Sequence, residues 1–372
     1  MAAIHFQEVD HVPFWNLWTH PRDPFNRKDQ LARIPAVLEL GMDDMVTIDP
    51  PWRMHPDVAT RTWREDRPGL PYQVIVKEYY TPKGTMRQEL RTSEVYDGPA
   101  SILGNWNISH GLKMLVSEPA DLEKLPYLLQ GPDKDQIEEF KEKARSLRVF
   151  ADEHQVFFEG GRLWSGDAAV WLMNVVPLVY ACVDVPEFVG ELLEIIWRCT
   201  EERLSLLLDV GVDMVEHEGW YDTTDFWSVS AYRRFLRPIL EREIQMAHEE
   251  GAMFRYIITK GVAPLLGDLS EMGMDVLWGI DPVQDNVDLA EVKRKLGGKV
   301  CVWGGMNSTV ILGIGTAEEI RDAVTEAIQV MAPGGGFVLS AIDQILPELP
   351  WENVMIAYNR WKEMADDPMF VK

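Results

Sequence analysis

A chain of 372 residues, 46% of them apolar, can bury one large core or two ordinary ones, and one large barrel accounts for it most economically. Sixty acidic residues against 36 basic ones give a net charge of -24, which repels phosphate backbones and anionic lipid and so excludes nucleic acid and membrane surfaces as expected partners. The longest apolar run, Ala168 to Val183, contains Asn174 and Pro177 and falls short of the roughly 18 residues of a membrane span. The opening MAAIHFQEVDHVPF lacks the basic start and apolar block of an export signal. Cys182, Cys199 and Cys301, odd in number and set among apolar neighbours, read as buried thiols of a reducing compartment. A soluble cytoplasmic enzyme is the expectation.

In chain order, an aromatic run from His11 to Trp18 ends at His20-Pro21, and a helix at Gln30 to Leu40 leads through Gly41 to a strand at Met45 to Ile48. Gln73 to Tyr80 alternates, Pro82-Lys-Gly84 turns, and Thr85 to Arg91 returns, so residues 72–92 predict a β-hairpin inserted in the N-terminal part. Lys134 to Ala151 is a charged amphipathic helix with Ile137, Phe140, Ala144 and Leu147 on one face. Strands then alternate regularly with helices. Strands are expected at Val156 to Glu159, Met214 to Glu218, Met253 to Ile258, Val276 to Trp278, Val300 to Trp303 and Phe337 to Ser340. Helices fall at Pro186 to Val210, Val229 to Glu250, Val262 to Met272, Leu289 to Leu296, Ala317 to Val330 and Trp351 to Met364. This pattern predicts a parallel sheet covered by helices, closed as a (β/α)8 TIM barrel spanning 1–372 as a single domain, with the eighth strand sought within Asp167 to Val179.

A barrel enzyme keeps its chemistry at the carboxyl ends of its strands. The densest such end is MVEHEGWYDTTD, Met214 to Asp225, where Glu216 and Glu218 flank His217 and Trp220 and Asp222 follow. Thr259 and Lys260 follow the next strand, and Asp281, Asn307 and Asp343 follow later ones; Asp281 and Asn307 are also well placed to cap helices. There is no G-x-x-x-x-G-K-[ST] phosphate loop, Gly313-Ile-Gly315 lacks the strand a dinucleotide turn needs, and Gly334-Gly-Gly336 reads as a tight turn. No nucleotide cofactor is implied.

Lys260-Gly-Val-Ala-Pro-Leu-Leu, Glu271-Met-Gly-Met-Asp-Val-Leu, Gly315-Thr-Ala-Glu-Glu-Ile, Ala332-Pro-Gly-Gly-Gly-Phe-Val-Leu and Pro350-Trp-Glu-Asn353 together resemble the uroporphyrinogen decarboxylase superfamily. The resemblance implies a (β/α)8 barrel and two activities, porphyrinogen decarboxylation and corrinoid-dependent methyl transfer. The decarboxylases carry an arginine-rich opening segment, whereas Pro13-Phe-Trp-Asn-Leu-Trp18 has no arginine before Arg22, so a tetra-anionic porphyrinogen would find no bidentate forks. Where the decarboxylases place a late histidine, this chain has Asp343. The thiol-alkylating methyltransferases of the superfamily bind zinc through His-x-Cys and a later Cys, and here Ile257, Thr259 and Asp343 stand at those positions. Zinc is the one metal the resemblance raises, and these residues do not support it. An oxygen-rich site of Glu218, His217 and Asp343 stays open. EHEGWYDTTDFW with MFRYIITKG is most similar to the branch that removes methyl groups from methoxylated aromatics and passes them to the corrinoid (cobalamin) of a partner protein.

Cleaving an aryl methyl ether leaves a phenolate, so an acid is needed near the rim. Glu218 is the first candidate and His217 the second, although strand neighbours point to opposite faces; Asp222, Tyr256, Lys260 and Asp343 complete the catalytic set. With 14 tryptophans in the chain, Trp15, Trp18, Trp220, Trp278 and Trp303 are candidate walls for a flat aromatic substrate, with Asn307 beside them. The expected partners are a corrinoid protein and a small aromatic methyl donor, and a homodimer is compatible with the sequence. A carboxy-lyase acting on a smaller acid and a catalytically silent binding barrel are the alternatives.

Overall fold

The computed structural model describes residues 1–19, 29–94 and 97–371; His20-Pro21 and Arg22 lie outside them. Among the described residues the strands are β1 (Met45–Ile48), β2 (Ala59–Glu65), β3 (Val74–Thr81), β4 (Gly84–Arg91), β5 (Gly111–Lys113), β6 (Phe157–Trp164), β7 (Met214–Glu218), β8 (Met253–Ile257), β9 (Val276–Ile280), β10 (Cys301–Asn307) and β11 (Phe337–Ile342). The helices are α1 (Gln30–Leu38), α2 (Trp106–His110), α3 (Lys134–His154), α4 (Gly166–Met173), α5 (Val175–Asp184), α6 (Pro186–Asp209), α7 (Val229–Ala231), α8 (Arg237–Glu249), α9 (Leu266–Glu271), α10 (Leu289–Leu296), α11 (Ala317–Met331) and α12 (Trp351–Met364).

Seven strands form one parallel sheet in the order β1-β6-β7-β8-β9-β10-β11. From β6 onward each strand lies beside its predecessor, as helix-connected parallel strands of one hand do. The sheet is curled, and Pro13–Trp18 bridges its two edges. Leu339 donates its N–H to the Pro13 carbonyl at 2.8 Å, Trp15 donates to the Leu339 carbonyl at 3.1 Å, and Asp43 donates to the Phe14 carbonyl at 3.0 Å. The strand sought within Asp167 to Val179 is instead the helix pair α4 and α5. That stretch is continuously apolar because α4 is buried on every side, and a short buried run cannot be assigned from periodicity alone. Among the described residues no single helix is long and apolar enough to cross a membrane, and α4 and α5 meet at 108°.

Both faces of the parallel strands are covered, which is why they read as unbroken apolar runs. Val46, Phe158, Val215, Phe254, Leu277 and Val302 face outward into one large core against the helices. Met45, Met214, Met253, Val276, Trp278, Cys301, Trp303 and Val338 face inward into a second. The covering helices follow their caps: α6 starts with Pro186 at its first turn and stops before Gly211 at φ +70°, a conformation glycine adopts without cost. Leu192, Ile196, Leu204 and Leu207 on its inner face are buried, each contributing about 1.5–3 kcal/mol of transfer free energy.

The hairpin lies in a separate antiparallel sheet, order β2-β3-β4-β5, with Val74 opposite Arg91 and Thr81 opposite Gly84. Neither β2 nor β5 is expected from sequence: no residue of Ala59–Glu65 is buried, so it carries no apolar alternation.

Gly279 in β9 has φ +124°, and a Cβ there would lie 2.2 Å from the Ile258 carbonyl oxygen. Gly279→Ala therefore lowers the unfolding free energy by about 2–3 kcal/mol, measured by urea denaturation. Gly267→Ala, whose Cβ meets nothing within 4 Å, leaves stability unchanged or raises it by up to about 1 kcal/mol.

Candidate active site

The inner face of the sheet carries charge as well as hydrocarbon. Arg255, in the middle of β8, is buried. Its Nη2 donates to Glu159 Oε2 at 2.7 Å and to the Glu216 carboxylate. The guanidinium carbon lies 4.9 Å from the Trp303 ring centre, 5.2 Å from Trp15 and 5.3 Å from Trp278. Paired carboxylates and three aromatic faces offset a desolvation cost that an isolated cation would not survive. Burial pushes the Glu159 carboxyl up and Arg255 pulls it partly back.

This set corrects the assignment of the tryptophans. Trp15, Trp278 and Trp303 are only 7%, 2% and 3% exposed because they enclose Arg255 below the rim rather than walling a slot at the mouth. Trp18 also is buried, but among Leu40, Met42, Trp351 and Met355, in the packing outside the barrel wall. Of the five, Trp220 alone is at the mouth, half-buried, with its ring edge-on to Trp278 at 5.3 Å.

One inward position above Glu216 on β7 is Glu218, its side chain 16% exposed. Burial, and then the charge of Glu216, pushes its carboxyl up to about 7, against the pull of Arg162, whose Nε is 3.6 Å from Oε1. A carboxyl in this range is half-protonated near neutral pH and can give a proton.

His217 points the other way. It is completely buried between the sheet and α8, with Nδ1 2.6 Å from Glu243 Oε2, Nε2 3.3 Å from Ser165 Oγ and 3.9 Å from Asp222 Oδ2. Burial lowers its pKa, but Glu243, Asp222 and Glu218 together outweigh this and raise it. Asp222, lifted chiefly by burial, accepts a hydrogen bond from Tyr256 Oη at 2.9 Å. His217, Asp222 and Tyr256 thus form one buried network behind the barrel wall, not in its mouth. Asp167, likewise pushed well up by burial, accepts the backbone N–H groups of Trp220 at 3.2 Å and Tyr221 at 2.8 Å, fixing the loop that carries Trp220. Because His217 and Glu218 lie on opposite faces, a metal site joining them to Asp343 does not assemble. Among the described residues no group of three or more His, Cys, Asp or Glu side chains is placed to hold a metal ion, and Ile257 and Thr259 offer none of the family's zinc ligands.

Lys260 and Asp343 stand at the same end of the parallel sheet as Glu218. Lys260 is exposed and paired with Asp225 at 2.8 Å, a surface ion pair of small value. Asp343 is exposed, yet the crowding of protein around it and then Asp281 raise its carboxyl. Its field reaches Tyr221, which burial, Asp167 and Asp343 push up to about 12. Asn307 is spent on structure: its Nδ2 donates to Asp281 at 2.6 Å, and its Oδ1 accepts from Val310 at 2.6 Å as the cap of the turn that follows.

Sequence reasoning missed Glu159, Arg255, Asp167 and Glu243, together with Arg162 and Asp49 beside Glu218. For two of these a signal existed, a charge in the middle of an apolar strand: FFEGG and MFRYI. A cavity of about 470 Å³ opens at the other end of the sheet, lined by Ile4, Trp15, Met45, Phe157 and Val338, near where the strands begin and away from Glu218.

A curled parallel sheet sheathed in helices, with ionisable groups gathered where its strands end, places the fold in the TIM-barrel-like class. More narrowly, the chain belongs to the uroporphyrinogen decarboxylase (URO-D) family, which it matches over residues 167–364, more than half its length. It is 29% identical over 137 residues to the uroporphyrinogen decarboxylase of Trichodesmium erythraeum, covering 36% of each chain. To that of Chlorobaculum parvum it is 25% identical over 182 residues, covering 45% of this chain and 47% of the other. The chain thus matches less than half the length of these curated relatives. Among solved structures, a methyltransferase from Methanosarcina mazei shares the fold with a TM-score of 0.56 at 18% identity, over 97% of this chain and 96% of that one.

The raised pKa of Glu218 makes stability depend on pH. Between the ordinary value of 4.5 and about 7 the folded chain holds a proton that the unfolded chain has released. Stability from this group is therefore complete below 4.5 and is lost as pH rises through about 7. Glu218→Gln removes that dependence and raises stability at pH 8 by up to about 3 kcal/mol, with the gain vanishing near pH 4; thermal melts across this range measure it. Arg255→Met leaves Glu159 and Glu216 without their partner and costs about 3–5 kcal/mol by urea denaturation.

Proposed function

We propose that this barrel removes a methyl group from a small methoxylated aromatic compound and passes it to the Co(I) corrinoid of a partner protein. The observation that carries the proposal is Glu218, a largely buried carboxyl at the mouth whose pKa lies near 7, two residues before the half-buried Trp220. When bound, the corrinoid supplies the cobalt nucleophile that accepts the methyl group. The chain supplies the acid. As the carbon–oxygen bond breaks, its electron pair stays on the aryl oxygen, and the Glu218 proton goes to that oxygen so that a neutral phenol departs. Trp220, held by Asp167 through the backbone of its loop, offers an aromatic face to the ring. The buried His217–Glu243 pair and the Tyr256–Asp222 pair hold the wall behind β7 and act on position rather than on substrate.

A second reading, a carboxy-lyase acting on a small acid, is favoured by the names of the curated relatives. Reduced cobalamin, followed by its absorbance during incubation with methoxylated aromatics, separates the two: the methyltransferase turns Co(I) into methylcobalamin, whereas a lyase releases CO2 and leaves the cobalt unchanged. Glu218→Gln is expected to slow methyl uptake by about 10²–10⁴-fold. In the wild type, kcat falls as pH rises through about 7, because the acid form of Glu218 is consumed. A rate unaffected by Glu218→Gln rules out the acid role.

A further inference from the structure

The strand β6 does not run straight to the mouth. Its register with β7 slips between Gly160 and Leu163, and within the slip Arg162 adopts φ +62°, a left-handed conformation that non-glycine residues seldom take. Bulges of this kind re-aim a side chain near a site. Here the slip turns Arg162 out of the strand's alternation, 63% exposed, with Nε 3.6 Å from Glu218 Oε1 and 3.7 Å from Asp49 Oδ2. Both separations exceed hydrogen-bond distance, and among the described residues Arg162 makes no hydrogen bond. A guanidinium has five N–H donors, and the two ion pairs leave each of them open to a hydrogen bond.

A second arginine backs it. Arg203 of α6 is buried; its Nε donates to the Pro50 carbonyl at 3.1 Å, its guanidinium carbon stacks 4.2 Å over the Trp164 ring, and its Nη1 is buried without a partner. Trp164 is the register neighbour of Glu218, and Arg203 lies in the electrostatic field of Asp49, Glu218 and Arg162. Two cations and two carboxylates therefore meet over β1, β6 and β7. With Glu218 in its acid form, the state the proton transfer requires, Asp49 is the charged carboxylate left beside Arg162.

We propose that Arg162, with Arg203 behind it, forms an anion-holding subsite for a single carboxylate, which makes the substrate of this barrel an aromatic acid rather than a neutral ether. The inference deepens the proposed function and rests on Glu218 marking the acid end of the site. One exposed guanidinium fork matches a planar carboxylate in two parallel hydrogen bonds. Asp49 and Glu216 nearby repel a phosphate dianion more than a carboxylate monoanion.

The test uses the full chain, with benzoate and benzyl alcohol as probes, in isothermal titration. Benzoate is expected to bind the wild type more tightly than benzyl alcohol does. Arg162→Gln is expected to weaken benzoate about 10–100-fold and leave benzyl alcohol unchanged, with Arg162→Lys in between; circular dichroism checks that the variants fold. In methyl uptake by reduced cobalamin, Arg162→Gln raises KM for 4-methoxybenzoate by a similar factor and leaves KM for 4-methoxyphenol unchanged, while the loss of its pull on Glu218 moves kcat for both donors alike. Equal benzoate binding by wild type and Arg162→Gln overturns the subsite, as does a wild type that prefers benzyl alcohol. If benzoate binding needs Arg162 but no methylcobalamin forms, the subsite stands and the methyl-transfer reading fails. If methyl uptake proceeds and Arg162→Gln changes the KM of acid and neutral donors alike, the reverse holds.

Discussion

The constraint that organises this barrel is the pairing of Arg255 with Glu159 and Glu216 inside the sheet. A charge taken out of water is costly unless partners and geometry compensate, and here three adjacent strands must be in register for the compensation to exist, because Glu159 pairs with Met214, one inward position below Glu216, and Glu216 pairs with Arg255 across the ladders. A slip of one residue in β7 or β8 would exchange the inward and outward sets, placing His217 and Tyr256 in the lumen and Glu216 and Arg255 among the apolar helices. The ion set thereby fixes which face Glu218 occupies. It also explains why the lumen is filled with tryptophan: Trp15, Trp278 and Trp303 present their ring faces to a buried cation.

Around that lumen the barrel wall separates two kinds of acid chemistry. On the inside, Glu218 reaches the mouth with a pKa raised by burial and by Glu216. On the outside, His217, Glu243, Asp222, Tyr256 and Asp167 occupy a buried layer that ties β7 and β8 to α8 and to the loop after β7. The outer layer is built like a support: Asp167 holds two backbone N–H groups of the mouth loop, and Gly166 packs so closely on Asp222 that a Cβ would meet its oxygen at 1.9 Å. Displacing any member would be felt at Trp220 and Glu218 without touching a ligand.

Much of this was legible in the sequence, for identifiable reasons. Strands buried on both faces announce themselves as apolar runs between glycines, so Met45–Ile48, Met214–Glu218 and α12 at Trp351–Met364 fall where patterning put them. The stretch Asp167 to Val179 was misread because a short helix buried all round and a buried strand share one signature. The strand Ala59–Glu65 left no trace because it buries no apolar face. At the site, the clustering of ionisable residues after β7 was visible, but whether each faces in or out depends on the pleat, which separates Glu218 from His217 by a single residue. The tryptophans misled for a related reason: their proximity to strand ends was readable, the depth at which they lie was not. Arg162 was beyond reach, since its orientation comes from a register slip that leaves no mark in composition.

Pro13–Trp18, which ties β11 to the start of β1, sets an order on assembly. Its partner Leu339 lies in β11, the last strand of the sheet, so Pro13–Trp18 stays unsatisfied until that strand has been made. Through that interval β1 carries an open edge whose backbone groups are available to other chains. The curled sheet is tied across only when that segment meets its last strand.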